Sequence, residues 1–421
     1  MIKVLSVIGT RPEAIKMAPI VHELERRADT FESRVCVTHQ HREMLDPMLD
    51  LFGLEAHHDL EIMRPGQSAS DVTQAVLAGM DEVLERERPD WVLIQGDTTT
   101  AMAASMAAFY RKTSVGHVEA GLRTFDKYSP YPEEINRRVA GVLADAHFAP
   151  TRWAATNLRR EGVPMDRVYI TGNTVIDSLQ HVGRIPFDPA GTPLDGLPYG
   201  RKRIVLVTAH RHENFGEGMA SICGALRELT ERHPELHLAF PVHMNPRAAQ
   251  PVYDTLAGLE SVSLLPPLEY QQLVWLLGQV HFVITDSGGL QEEAAGIGKP
   301  VLVLRESTER PEGVDAGIAR LVGSNRDELL VCAGRLLEDP MEYHAMASAD
   351  CPYGDGAAAA KVVQGLLGTR SAADDEEHIY EQPIPEHPLD GLLHHDTEEL
   401  PRHRSDQVTS RFRRRSTDIA R

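Results

Sequence analysis

Acids suited to proton transfer recur in this chain just after short hydrophobic runs. Asp97 follows Trp91–Gln95 within Gly96-Asp97-Thr98-Thr99-Thr100, and Glu119 follows Ser114–Val118 within Glu119-Ala120-Gly121-Leu122-Arg123-Thr124. Glu133 and Glu134 lie in Tyr131-Pro132-Glu133-Glu134-Ile135-Asn136-Arg137-Arg138. Each also has an ordinary structural reading. Asp97 is a good helix N-cap. Glu119 is costly to bury unless paired, and Arg123 or His117 could pair with it. Glu133 suits a first helical turn, where it would make an i,i+4 pair with Arg137. A second acid at a strand end strengthens the catalytic reading.

Cations and bare amides recur in the same kind of position. Arg11 and Lys16 stand in Gly9-Thr10-Arg11-Pro12-Glu13-Ala14-Ile15-Lys16, where a turn opens a helix and Pro12 suits the first helical turn. Arginine holds phosphate with two prongs, and helix N-termini attract anions, so the pair reads as an anion site rather than as two surface cations. His210 and Arg211 follow Val205–Thr208 in Ala209-His210-Arg211-His212-Glu213-Asn214. A histidine there can act as acid, base or phosphate partner. The spacing of His210 and His212 could suggest a metal, but no third ligand accompanies it. In Thr285-Asp286-Ser287-Gly288-Gly289-Leu290-Gln291-Glu292-Glu293-Ala294, a hydrophobic strand ends in a Gly-rich turn that opens a helix. Bare N–H groups of Ser287, Gly288 and Gly289 would cradle a diphosphate there, with Glu293 one turn on to accept from ribose hydroxyls. The string is neither GxGxxG nor GxxxxGK[ST], so neither NAD binding nor ATP hydrolysis is read from it.

Positioning these residues requires strands that alternate with helices. The chain has 421 residues, 42% of them hydrophobic and 25% charged, which fits a soluble enzyme of two or three domains. Strand–helix alternation runs through the first 180 or so residues and resumes near residue 200. The pattern predicts an α/β protein with two doubly wound domains, in which ligands sit beyond the carboxyl ends of the strands. The Pro- and Gly-rich Ile185–Gly200 reads as the linker. Residues 371–400 hold ten Asp/Glu and no Lys/Arg, and residues 401–421 hold seven Arg against two Asp. That composition predicts a disordered tail, acidic then basic. The formal charge of −19 argues against nucleic acid or an anionic membrane as partner. No apolar run reaches the ~18–20 residues of a membrane span. The N-terminus lacks signal-peptide features, so the expected location is the cytoplasm. The four cysteines form no CxxC pair, and Cys36 and Cys223 read as core residues.

Taken together, the strings resemble the non-hydrolysing UDP-N-acetylglucosamine 2-epimerases. Those that carry the resemblance are Gly9–Pro19, Gln40–Leu45, Gly96–Thr100, Gly116–Thr124, Ser129–Arg137, Thr171–Asp177, His210–Glu213, Pro241–Pro246, Asp286–Ala294 and Thr308–Glu312, within about residues 2–368. The tail falls outside the pattern, and position 212 holds His where a second Arg is expected. The resemblance implies a glycosyltransferase-B-like fold of two Rossmann-like domains, 1–185 and 186–354, with the active site in the cleft between them. A last helix near 355–369 would return to the first domain, ahead of the tail at 370–421.

The activity implied is reversible inversion at C2, UDP-GlcNAc to UDP-ManNAc, with neither metal nor organic cofactor, in a homodimer that supplies cell-surface polysaccharide. Asp97, Glu119 and Glu133 would be the acid/base groups, with His210 near the leaving diphosphate. Arg11 and Lys16 would steady the diphosphate, and Ser287, Gly288, Gly289, Glu293 and Arg310 would hold UDP. A second, activating substrate site would use Gln40, His41, Gln67, Glu134, Arg211 and His243. A glycosyltransferase of the same architecture, a hydrolysing epimerase and a non-catalytic UDP-sugar sensor are the alternatives.

Overall fold

A computed structural model describes residues 1–39, 42–64 and 66–368. The expected charged tail and two expected effector contacts, Gln40 and His41, lie outside the described residues.

The first domain runs β1 (Ile2–Ile8), α1 (Arg11–Arg26), β2 (Phe31–Val37), α2 (Arg42–Phe52), β3 (His58–Asp59), α3 (Ala69–Glu87), β4 (Trp91–Gln95), α4 (Thr99–Tyr110), β5 (Ser114–Val118), α5 (Glu133–Leu143), β6 (Ala146–Ala149), α6 (Arg152–Arg160), β7 (Val168–Ile170) and α7 (Thr174–Val182). The second runs β8 (Arg203–Thr208), α8 (Glu217–Arg232), β9 (Leu236–Pro241), α9 (Pro246–Leu256), β10 (Val262–Leu265), α10 (Tyr270–Gln279), β11 (Phe282–Thr285), α11 (Gly288–Gly296), β12 (Val301–Val303), α12 (Pro311–Asp315), β13 (Ala319–Leu321), α13 (Arg326–Glu338) and α14 (Pro340–Ala347). A last helix, α15 (Ala358–Leu366), follows.

The hydrophobic runs form parallel strands, as side chains covered on both faces require. The four residues of β11 and the last four of β4 are all buried. The sheets are ordered β3-β2-β1-β4-β5-β6-β7 and β10-β9-β8-β11-β12-β13, and their strand pairs are parallel. In each sheet the order reverses once, between β1 and β4 and between β8 and β11. Connections leave those strands in opposite directions, and a crevice opens at the split. The four loops at these two crevices carry Arg11, Asp97, His210 and Ser287.

Several elements escape a pattern-based reading for physical reasons. The edge strands β3 and β13 have two and three residues, too few for an apolar run. Pro47 and Pro251 interrupt the helical signal of α2 and α9.

The two domains share one apolar cluster. It includes Ile15 of α1, Ile176 and Leu179 of α7, Val274 of α10 and Leu290 of α11. The chain passes from first to second domain after α7 and returns ahead of α15. That helix packs on α1, α7, β6 and β7. Asp177 of α7 caps it, accepting from the amides of Ala358 at 3.2 Å and Ala359 at 3.0 Å. At Gly365 a methyl group would lie 2.7 Å from the Phe148 ring, so the helix reaches β6 only because that residue is glycine. No helix among the described residues is long and apolar enough to cross a membrane.

Candidate active site

The two crevices face each other across a cavity of about 530 Å³, a volume suited to a nucleotide-sized ligand. The first domain lines it with Arg11, Lys16, Asp97, Glu119 and Glu133. The second lines it with His210, Arg211, His243, Ser287, Gly288, Gly289, Glu293 and Arg310. Gln67 and Glu134 are not part of the lining. The Gln67 side chain folds its own loop, accepting from the Arg64 amide at 2.8 Å and donating to the Ile62 carbonyl at 2.7 Å. Buried Glu134 accepts from the amides of Thr124 and Phe125, both at 3.1 Å.

Glu119 follows β5 in a left-handed conformation, φ 62°, which is uncommon for any residue but glycine. Its partners are not the expected ones. Arg123 pairs with Glu161 at 2.6 and 2.8 Å, and His117 bonds the Gly96 carbonyl at 2.7 Å. Glu119 instead accepts from Lys16 Nζ, from Gln95 Nε2, and from Asn173 Nδ2 at 2.7 Å. Burial opposes its charge, but the cations Lys16 and Arg310 hold the carboxyl below the usual carboxylate range. Burial pushes His117 down to about 3, so its ring is neutral at ordinary pH. Its Nε2 carries the hydrogen, because a carbonyl can only accept.

Asp97 is not the cap of α4. Thr98 is, its Oγ1 accepting from the Ala101 amide at 3.0 Å. The Asp97 carboxylate is left to meet Arg137 Nη2 at 2.5 Å. The expected Glu133–Arg137 pair is therefore replaced, with Arg137 turned to Asp97 and, at 3.6 Å, to Glu134. Glu133 Oε2 is buried at the cavity wall with no hydrogen-bond partner among the described residues.

In the second domain, Asp286 shapes the loop after β8. One of its oxygens accepts from the amides of His210 and Arg211, both at 2.8 Å, and from Asn214 Nδ2 at 3.0 Å. The other lies 3.3 Å from His210 Nδ1. Burial lowers the His210 pKa, and Asp286 opposes that shift. The His210 ring stacks on His243 with centroids 5.2 Å apart. At the start of α11 the Ser287 amide is already bonded to Thr285 Oγ1 at 2.9 Å. Only Gly288 and Gly289, of the three expected amides, then remain in the helix's open first turn. The Ser287 hydroxyl makes no cap bond. Gly288 lies against Arg310, where a methyl group would come within 2.4 Å of Nη1, whereas at Gly289 nothing lies within 4 Å. Arg310 is itself held by Glu292 at 2.6 Å and Glu309 at 2.8 Å. Burial pushes Glu293 up to about 7. Among the described residues no cluster of three His, Cys, Asp or Glu side chains could hold a metal ion.

The sequence reading assigned no role to Glu13, Gln95, Asn173 or Glu292. Glu13 is almost fully buried, accepting from the Gly9 amide at 3.0 Å and Thr98 Oγ1 at 2.7 Å. Burial pushes it up to about 7. Asn173 carried a usable signal, as an N-cap residue type between a strand and a helical run.

A family model described as UDP-N-acetylglucosamine 2-epimerase matches residues 22–367. The UDP-N-acetylglucosamine 2-epimerase of Yersinia pestis is 50% identical over 369 residues, covering 86% of this chain and 98% of that one. The crystal structure of UDP-GlcNAc 2-epimerase from Neisseria meningitidis bound to UDP-GlcNAc superposes with a TM-score of 0.82 at 46% identity, covering 87% of this chain and 100% of that one. The glycosyltransferase SnogD from Streptomyces nogalater, 17% identical with a TM-score of 0.54, shares the fold alone.

Proposed function

The chain belongs to the UDP-N-acetylglucosamine 2-epimerase family, a family of isomerases, and on that premise we propose that it interconverts UDP-GlcNAc and UDP-ManNAc by elimination and re-addition of UDP. One observation carries this reading. Asp97, Glu119 and Glu133 of the first domain face the open N-terminus of α11 and Arg310 of the second across a single cavity. Acids on the sugar and anion binders on the diphosphate are what the chemistry needs.

The C2 proton of the sugar is not beside a carbonyl, so direct removal is hard. As the bond from C1 to UDP begins to break, positive charge grows at C1 and the C2 proton becomes more acidic. Its loss to a carboxylate leaves 2-acetamidoglucal and bound UDP. Re-addition of UDP at C1, with protonation of C2 on the opposite face, gives the epimer. Asp97, Glu119 and Glu133 supply and take the protons in this scheme. The held-down pKa keeps Glu119 ionised, the form in which a carboxylate can take a proton. His210, Arg11 and Lys16 receive the diphosphate charge that develops. Ser287, Gly288, Gly289, Glu293 and Arg310 keep UDP in place while the glycal exists.

The activating second site, with Gln40, His41, Gln67, Glu134, Arg211 and His243, is proposed on the family resemblance. A strictly hyperbolic rate curve, with UDP-ManNAc turned over when no UDP-GlcNAc is added, would sink it. The homodimer, the cytoplasmic location and the supply of ManNAc units for cell-surface polysaccharide belong to the same reading.

The test is proton NMR of the purified protein with UDP-GlcNAc in deuterated water. UDP-ManNAc appearing beside UDP-GlcNAc, both deuterated at C2, is the expected result. Free ManNAc with UDP would mean hydrolysis instead. An unchanged spectrum would turn the assignment to a glycosyltransferase or a sensor.

A further inference from the structure

Asn173 sits where the two domains meet, and its amide is oriented from three sides. Its backbone N–H donates to the Tyr353 carbonyl at 2.7 Å, on the segment returning from the second domain. Its Oδ1 accepts from the Val175 amide at 3.1 Å and so caps α7. A backbone N–H can meet only the oxygen end of the amide, so the nitrogen end must point the other way. There Nδ2 lies 2.7 Å from Glu119 Oε1 and 2.9 Å from Glu292 Oε2. The group has two hydrogens, and each meets a carboxylate from a different domain. All three residues are buried, with exposures of 2% for Asn173, 8% for Glu119 and 1% for Glu292. Glu292 is bound in turn by Arg310 Nε at 2.6 Å. A continuous chain of hydrogen bonds therefore runs from Arg310 through Glu292 and Asn173 to Glu119.

We propose that Asn173 is a positioning residue for proton transfer at C2: its amide ties the orientation of Glu119 to the seating of α11, so that Glu119 is set for reaction only while the two domains are packed together. This rests on the function proposed above. Removing the donor would break the hydrogen bonds that join two buried carboxylates, whose mutual repulsion in low-dielectric surroundings Lys16 and Arg310 would then have to offset. Lys16 from α1 and Gln95 from β4 would still hold Glu119, but neither belongs to the second domain. The charged and titratable groups facing Glu119 are Lys16, Glu292 of α11, Arg310 ahead of α12, and His117 of β5.

Two substitutions separate this role from helix capping. Serine caps helices well, so Asn173→Ser keeps the cap, but it is too short to bridge the carboxylates. Asn173→Asp keeps the cap and the shape, and replaces the donor with a third acid. The expected result for both is a fall in kcat of about 100-fold or more, with KM for UDP-GlcNAc within about threefold of the unaltered chain and UDP affinity retained in calorimetry. In Asn173→Ser the acid limb of the kcat profile moves to higher pH, because the lost hydrogen bond had favoured the ionised form of Glu119. A purely structural role would not move that limb. An Asn173→Ser variant with kcat within about threefold and an unmoved acid limb overturns the inference. So does loss of UDP binding in both variants, which would make the residue structural. If the unaltered chain itself leaves UDP-GlcNAc unchanged, the functional reading falls and takes this inference with it. An active unaltered chain beside an equally active variant removes the inference alone.

Discussion

Arg137 Nη2 lies 2.5 Å from Asp97 Oδ2, reaching from α5 to the loop after β4. The same helix begins with Glu133, so one element supplies an acid to the cavity and the counter-ion of another. The orientation of α5 therefore sets the spacing of two of the three acids.

Asp97→Asn removes the charge that Arg137 holds. The expected effect is a loss of turnover of about 10²–10⁴-fold, the span of acid–base contributions, with UDP-GlcNAc binding retained. Arg137→Met alone is expected to slow turnover about 10–100-fold, but to cost little more once Asp97 is already Asn, because the two act as one unit. Steady-state kinetics of the single and double variants checks both points. Additive losses would separate the pair.

Gly288→Ala is expected to raise KM for UDP-GlcNAc about tenfold, a difference of about 1.4 kcal/mol. The new methyl group would lie 2.4 Å from Arg310 Nη1, and Arg310 is held in place by Glu292 and Glu309. Gly289→Ala is expected to behave differently. Its methyl group meets nothing in the protein, and alanine improves helix propensity by up to about 1 kcal/mol. Thermal stability should therefore hold or rise while UDP affinity falls, because the methyl group occupies the space of the cavity. Melting curves and calorimetry on the two variants distinguish steric damage to the protein from damage to the site.

Glu13 makes stability depend on pH. Burial lifts its pKa from the ordinary 4.5 to about 7, so folding favours the protonated form. Its contribution is fully present below about pH 4.5 and is lost as pH rises through about 7. Glu13→Gln is neutral throughout and keeps the shape. It should gain on the unaltered chain above neutrality, by at most roughly 3 kcal/mol, and show no advantage near pH 4.5. Melting midpoints across that range decide it, and a pH-independent difference would rule it out. Glu293, also lifted to about 7, contributes to both proteins and cancels in the comparison.

The strand ends were legible in the sequence because parallel strands must be continuously apolar, so a polar string after one marks the ligand side of a sheet. The loops carrying Arg11, Asp97, His210 and Ser287 all meet in the cavity. Partnerships were far less legible. Asn173 meets Glu119 across 54 positions and Glu292 across 119, beyond any local pattern. Helical spacing pairs Arg137 with Glu133, but a carboxylate 40 positions earlier takes it. Asp97 is a good cap by residue type, yet its neighbour Thr98 caps the helix and frees the acid. Local rules fix which residues reach the cleft, and tertiary packing decides whom each one holds.

The seating of α15 on the first domain also orders the folding of the chain. During synthesis the first domain's strands leave the ribosome long before the residues 358–366 that cover part of them. Until then Phe148 and Tyr169, which pack against Gly365, have no cover on that side. The second domain lies wholly between the two crossings and carries its own buried cluster, so its parts are all present once α14 has emerged. Domains fold as units as their sequence appears. The half of the molecule made later is thus the first to have all its pieces, and the half made first is completed by the last helix among the described residues.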